Sequence, residues 1–148
     1  MSKMKINQLT LLLFLLLLLL SSCERPIENK DFLRYKWKVQ SIVSENKRIT
    51  QPSGTFFRED AYILEFRNDT LFYFPTSVNE AGGSYQIVAE RHIIINYGEW
   101  TEIGGGSNFD KQLLSVFNGT MSYSYTGNKL IFKGEENKEI VFVKRGKN

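Results

Sequence analysis

From Tyr35 onward, apolar and polar residues alternate in short runs broken by turn-forming residues, the signature of an antiparallel β meander. In the run Tyr35 to Val43 a period of two puts Tyr35, Trp37, Val39, Ser41 and Val43 on one face, predicting a first strand with one buried side. The stretch from Ala61 to Thr76 reads as two strands about Asn68-Asp69, residues that tolerate the left-handed backbone of tight turns. Tyr62, Leu64 and Phe66 share a face of the first of these strands, and Phe72 and Phe74 a face of the second. Ser84 to Gly98 supplies another pair turning near Glu90-Arg91. Three strands close the chain. Met121, Tyr123 and Tyr125 alternate up to a turn at Gly127-Asn128, the next strand runs to Phe132 and a turn at Gly134 to Asn137, and the last carries Ile140 and Phe142.

One segment leaves this period. Phe109, Leu113, Val116 and Phe117 recur at helical spacing, Ser107 and Asp110 fit a capping box, and Asn118-Gly119 reads as a helix stop. A lone helix must bury its apolar stripe against the sheet or plug the end of a barrel. The expected fold is therefore mainly β: a small antiparallel barrel or strongly curved sheet of about eight strands, with one α-helix before the last three.

The N-terminal part follows another pattern. Leu9 to Leu20 is nearly all leucine and follows Lys3 and Lys5, yet it is shorter than the about 20 apolar residues of a bilayer-spanning helix. This is the pattern of a secretory signal peptide. Leu20-Ser21-Ser22-Cys23 resembles the bacterial lipobox, which implies cleavage before Cys23, lipid on its thiol and acylation of the new amino terminus. The expected organisation is a lipoprotein signal peptide at 1–22, a lipidated N-terminus and tether at 23–33, and a β domain at 34–148. Several acyl chains at about 0.8 kcal/mol per methylene would hold such a protein on a membrane without spanning it. Expected localisation is the bacterial cell envelope, facing the periplasm.

Losing the signal changes the charge. The full chain is +3; without Lys3 and Lys5 it is +1 (3 minus 2), with both signs scattered, so nucleic acid is not an expected partner. Cys23 is the single cysteine, which leaves no intramolecular disulfide and no cysteine metal cluster.

Candidate chemistry is sparse. His92, the one histidine, begins the run Ile93-Ile94-Ile95 without a second histidine, a reactive cysteine or a Gly-x-Ser-x-Gly elbow. Gly104-Gly105-Gly106-Ser107 leads into the helix, as a connector or as an anion cradle at its N-terminus. Glu99 and Glu102 lie nearby, and Glu135-Glu136 occupy a turn. No catalytic residue, metal or cofactor is expected. Among the many aromatics, which include Phe56-Phe57, most are expected in the core. Tyr97 and Trp100, beside the glycine-rich loop, are the candidate contacts for a ligand or partner. The run Leu71 to Phe74 puts bulk on both faces of its strand, which predicts either burial on both sides or an exposed apolar patch. Asp69-Thr70-Leu71 resembles a site of periplasmic O-glycosylation in some Bacteroidota.

The order of elements from about Tyr35 to Lys144 resembles a META domain of the HslJ heat-inducible type. The matching stretches are Trp37 to Ile42, the spacing Asn79-x-x-x-Gly83-x-Tyr85, Thr101 after a strand, the helix around Leu113-Leu114, and Tyr125 to Phe132 leading to Phe142. The resemblance implies a non-catalytic envelope protein acting in stress or drug tolerance, through a protein or cell-wall contact. The alternative is a lipocalin-like carrier of a small apolar ligand, which also opens on a tryptophan strand and often follows a lipobox. Lipocalins usually have Gly where Tyr35 stands, and their helix follows the eighth strand.

Overall fold

The computed structural model describes residues 30–54, 56, 58–101, 104 and 106–147. Among them a 3-10 turn, Asp31–Arg34, precedes nine strands and one α-helix. In chain order these are β1 (Tyr35–Ser44), β2 (Lys47–Thr50), β3 (Ile63–Phe66), β4 (Leu71–Tyr73), β5 (Ala81–Ala89) and β6 (His92–Glu99). Helix α1 (Asn108–Val116) follows, then β7 (Gly119–Thr126), β8 (Lys129–Lys133) and β9 (Glu139–Lys147). Eight strands form a closed antiparallel ring, β1-β3-β4-β5-β6-β7-β8-β9, with β9 returning to β1. The expected barrel, with its helix ahead of the last three strands, is thus present.

The ninth strand, β2, lies outside the ring on the far half of β1, pairing Ser41 with Thr50 and Ser44 with Lys47. It was not expected, because Lys47-Arg48-Ile49-Thr50 has one large apolar residue and no alternation. Its signal is the two-residue turn Glu45-Asn46, both at positive φ as a tight hairpin with right-handed twist demands.

The expected face of β1 is corrected by a bulge. Val39 pairs with Phe142 and Ser41 with Val141, which leaves Gln40 without a β9 partner and shifts the alternation by one. Trp37 and Val39 point inward as expected, but beyond the bulge Ile42 takes the core position in place of Ser41 and Val43. Ser41 is covered by Arg48 of β2, whose guanidinium donates to its hydroxyl at 2.8 Å.

Aromatic rings fill the barrel. Phe117, just after α1, has ring centroids of Phe74, Phe132, Phe72, Tyr97 and Phe142 between 5.3 and 5.9 Å from its own. Such edge-to-face clusters gain about 0.5–1.5 kcal/mol per pair beyond area burial. One end is plugged by the 3-10 turn. Phe32 is fully buried against Phe66, Tyr123 and Phe132, and its carbonyl accepts from Trp37 Nε1 at 2.8 Å. Phe32 falls within the stretch read as tether, so the packed chain begins upstream of Tyr35. The other end is covered by α1, which buries Phe109, Asp110, Leu113 and Val116.

Candidate functional site

Residues 1–22, where a signal peptide is expected, and Cys23, Phe57, Glu102 and Gly105 lie outside the described residues. Tyr97 and Trp100, the candidate contacts, do not share a cleft. Tyr97 points into the barrel, 7% exposed, stacks on Phe74 at 5.3 Å and donates from its hydroxyl to the Phe74 carbonyl at 2.6 Å. Burial pushes its pKa well above the usual phenol range, so it stays a neutral donor. Trp100, just past the end of β6, is 53% exposed on the outer surface.

Trp100 is nevertheless held firmly. Its N–H donates to the Glu80 carbonyl at 2.7 Å, and the Glu80 N–H donates to Thr101 Oγ1 at 2.9 Å. The indole lies over Gly82, where a Cβ would come within 2.6 Å of it, and its ring sits 5.9 Å from that of Tyr73 on β4. Tyr73 faces outward yet is buried, because Trp100 covers one part and the Arg67 guanidinium lies 4.3 Å over its ring. Thus the bulky run on β4 is buried on both faces except at Leu71, which is 48% exposed.

A charged cluster edges this aromatic face. Arg58 grips the Asp60 carboxylate with two hydrogen bonds of 3.0 and 3.1 Å, its guanidinium also donates to the Tyr73 hydroxyl, and Nη1 is 3.5 Å from Glu80. Tyr73 donates to Asp60 at 2.9 Å. Partial burial pushes Asp60 upward in pKa, but the hydrogen bonds from Arg58 and Tyr73 outweigh it and leave the carboxyl below its ordinary value. Burial first, then Asp60, raises Tyr73 to about 12. At neutral pH the cluster is an ion pair with a neutral phenol.

Beside Trp100 the outer surface is almost bare. Gly82 pairs with Gly98 of β6, and nothing lies within 4 Å of where a Cβ on Gly98 would stand. Along the same face the next pair is Ser84 and Asn96, whose amide donates to the serine hydroxyl at 3.3 Å. Farther on, an open groove of about 550 Å³ runs past Ser84, Gln86, Ile94 and Asn96 toward Asp69 and Thr70. Thr70 is exposed, and its N–H and hydroxyl both donate to Asn68 Oδ1, at 2.9 and 3.1 Å.

The other candidates lie apart from this face. At the start of α1, the Asp110 carboxylate, 1% exposed, accepts from the Ser107 and Ser77 N–H groups at 2.6 and 3.0 Å. It also accepts from the Ser77 hydroxyl at 2.5 Å and the Tyr62 hydroxyl at 2.7 Å. The anion at this helix N-terminus is therefore the protein's own side chain. Gly106 lies tight against it, where a Cβ would stand 2.6 Å from Oδ2. His92 is exposed at a turn, its Nδ1 2.8 Å from the Glu90 carbonyl. Glu99 accepts from Thr76 at 3.3 Å. Glu136 sits in its turn at positive φ. Among the described residues no His, Cys, Asp and Glu cluster could hold a metal, and no helix is long and apolar enough to cross a membrane.

No known protein family, no curated protein and no solved structure matches the chain. No spacing in the sequence connects Arg58, Asp60, Tyr73 and Glu80 with Trp100. Strand parity carries part of the signal, since Tyr73 faces away from its chain neighbours Phe72 and Phe74, just as Gly98 faces away from Tyr97.

Proposed function

We propose that this is a non-catalytic, lipid-anchored envelope protein, META-like in its order of elements, which works in stress or drug tolerance by contact with a cell-wall or protein partner through its outer surface. The observation that carries this reading is Trp100, exposed yet fixed over Gly82 and Tyr73 at the edge of a charged cluster. Rigid aromatics and arginines are the residues on which binding energy concentrates. The chain would be tethered through Cys23 on the periplasmic face of a membrane, which suits a module that samples nearby surfaces.

The test has two arms. In cross-linked envelopes, Trp100→Ala should lose most of the adducts formed by the native protein, while Cys23→Ser should release the protein from the membrane fraction. Adducts unchanged by Trp100→Ala would remove the outer face from consideration.

A lipocalin-like carrier remains the second reading, favoured by the closed eight-strand ring. The aromatic packing around Phe117 gives less support to a ligand inside the barrel. Binding there would quench Trp37 when a fatty-acid probe is added, and no such quenching is expected.

A further inference from the structure

We propose that the outer face of β5 and β6 binds a chain of pyranose sugars, one ring seated on Trp100 above the bare backbone at Gly98 and the chain running toward Ser84 and Asn96. The inference rests on the surface-contact reading and names its ligand class.

Three observations support it. First, a pyranose presents C–H bonds from the faces of its ring, and these carry the slight positive charge that the electron-rich face of an indole attracts. Trp100 offers such a face at a fixed position, with its backbone bonded to Glu80 and its ring laid on Gly82. Second, the adjoining surface is open at Gly98. Gly98 has no atom near the position of a Cβ, so a ring can approach the strand closely. Third, equatorial hydroxyls radiate from a pyranose and require donors and acceptors at its rim. Asn96 and Ser84 lie one pair along the strands, and the partly exposed carboxylates of Glu80 and Asp60 lie on the side of Arg58.

A protein partner is less well matched. A standard protein interface takes about 800 Å² from each side and has a desolvated apolar centre. Among the described residues the exposed large hydrophobic side chains are Leu71, Val88 and Trp100; Leu71 stands opposite Ser84 on the same outer face, and Val88 lies near the other end of β5 from Gly82. Trp100 and Leu71, set beside the polar Ser84 and Asn96, make a smaller apolar centre than such an interface needs and suit a glycan better.

The experiment uses the full chain in detergent, titrated with N-acetylglucosamine tetrasaccharide, cellotetraose and mannotetraose, and followed by tryptophan emission and calorimetry. At least one tetrasaccharide should bind, with a blue shift that Trp100→Ala abolishes. Both Trp100→Ala and Gly98→Val should weaken that binding by roughly tenfold or more, with the melting temperature of Gly98→Val near that of the native chain. Gly98→Val is the discriminating variant: it blocks a sugar's seat but enlarges the apolar area available to a protein. Binding unaffected by either substitution would overturn the proposal. Absence of saccharide binding, with Trp100-dependent envelope adducts retained, would overturn the glycan and leave the surface-contact reading standing. Absence of both would remove both.

Discussion

Tyr62 has a φ of 63°, a left-handed backbone that a bulky residue adopts only when its surroundings compel it. They do so from every side. Its N–H donates to the Pro75 carbonyl, its carbonyl accepts from Val39, its ring packs between Phe56 and Phe109, and its hydroxyl reaches Asp110. Asp110 is the centre of this arrangement. Burial acts to raise its pKa, but the hydrogen bonds from Ser77, Tyr62 and Ser107 prevail and leave it lowered. A carboxyl held below its unfolded value, about 3.9 for Asp, adds stability that is complete above that value and disappears as pH falls through the lower folded one. Asp60 acts in the same direction, less strongly because solvent screens it. Urea midpoints should be flat above about pH 5 and fall below about pH 4, with a shallower fall in Asp110→Asn. Asp110→Ala, which strands four donors, should cost about 3 kcal/mol in urea unfolding at pH 7.

Strand pairing shows where glycine is required and where it is incidental. A Cβ on Gly83 would overlap the backbone carbonyl of Asn96 on β6 and stand 3.3 Å from Phe72, whereas Gly98 has open space. Gly83→Ala should therefore lower stability by about 2–3 kcal/mol, and Gly98→Ala by less than about 0.5, compared by thermal unfolding. The ring strands were readable from the sequence because each is a short apolar or alternating run between strong turn formers. The helix was readable because its cap and its stripe agree. What escaped notice depends on partners distant in the chain. Gln40 bulges only because β9 offers one residue against two, β2 exists only because the edge of β1 is free beyond β3, and Asp110 was visible as a capping residue but not as the partner of Tyr62 and Ser77. The candidate site was half visible. Trp100 stands out in the sequence, but Tyr97 was grouped with it although a separation of three residues places them on opposite sides of a sheet. Arg58 and Asp60 joined the face through a loop that has no periodicity.

Stability of the barrel as a unit depends on its aromatic filling, since the chain has no second cysteine with which to make a disulfide. Phe117 touches rings from β4, β6, β8 and β9, and so links opposite walls. Phe117→Ala should cost about 3–5 kcal/mol in chemical denaturation, the range for deleting a buried phenylalanine ring. The loss should leave the outer face at Trp100 intact, because that face is built on the other side of the sheet.

The closure of β9 onto β1 has a further consequence. It sets Tyr35 directly opposite Lys147, so the two ends of the folded ring are neighbours. In such a circuit no strand has to come first: the ends could be joined by a short linker and the chain opened at the Glu135–Asn137 turn, and every strand of the ring would keep both neighbours. A label fused after Lys147 would, by the same geometry, stand beside Tyr35, where the first strand begins.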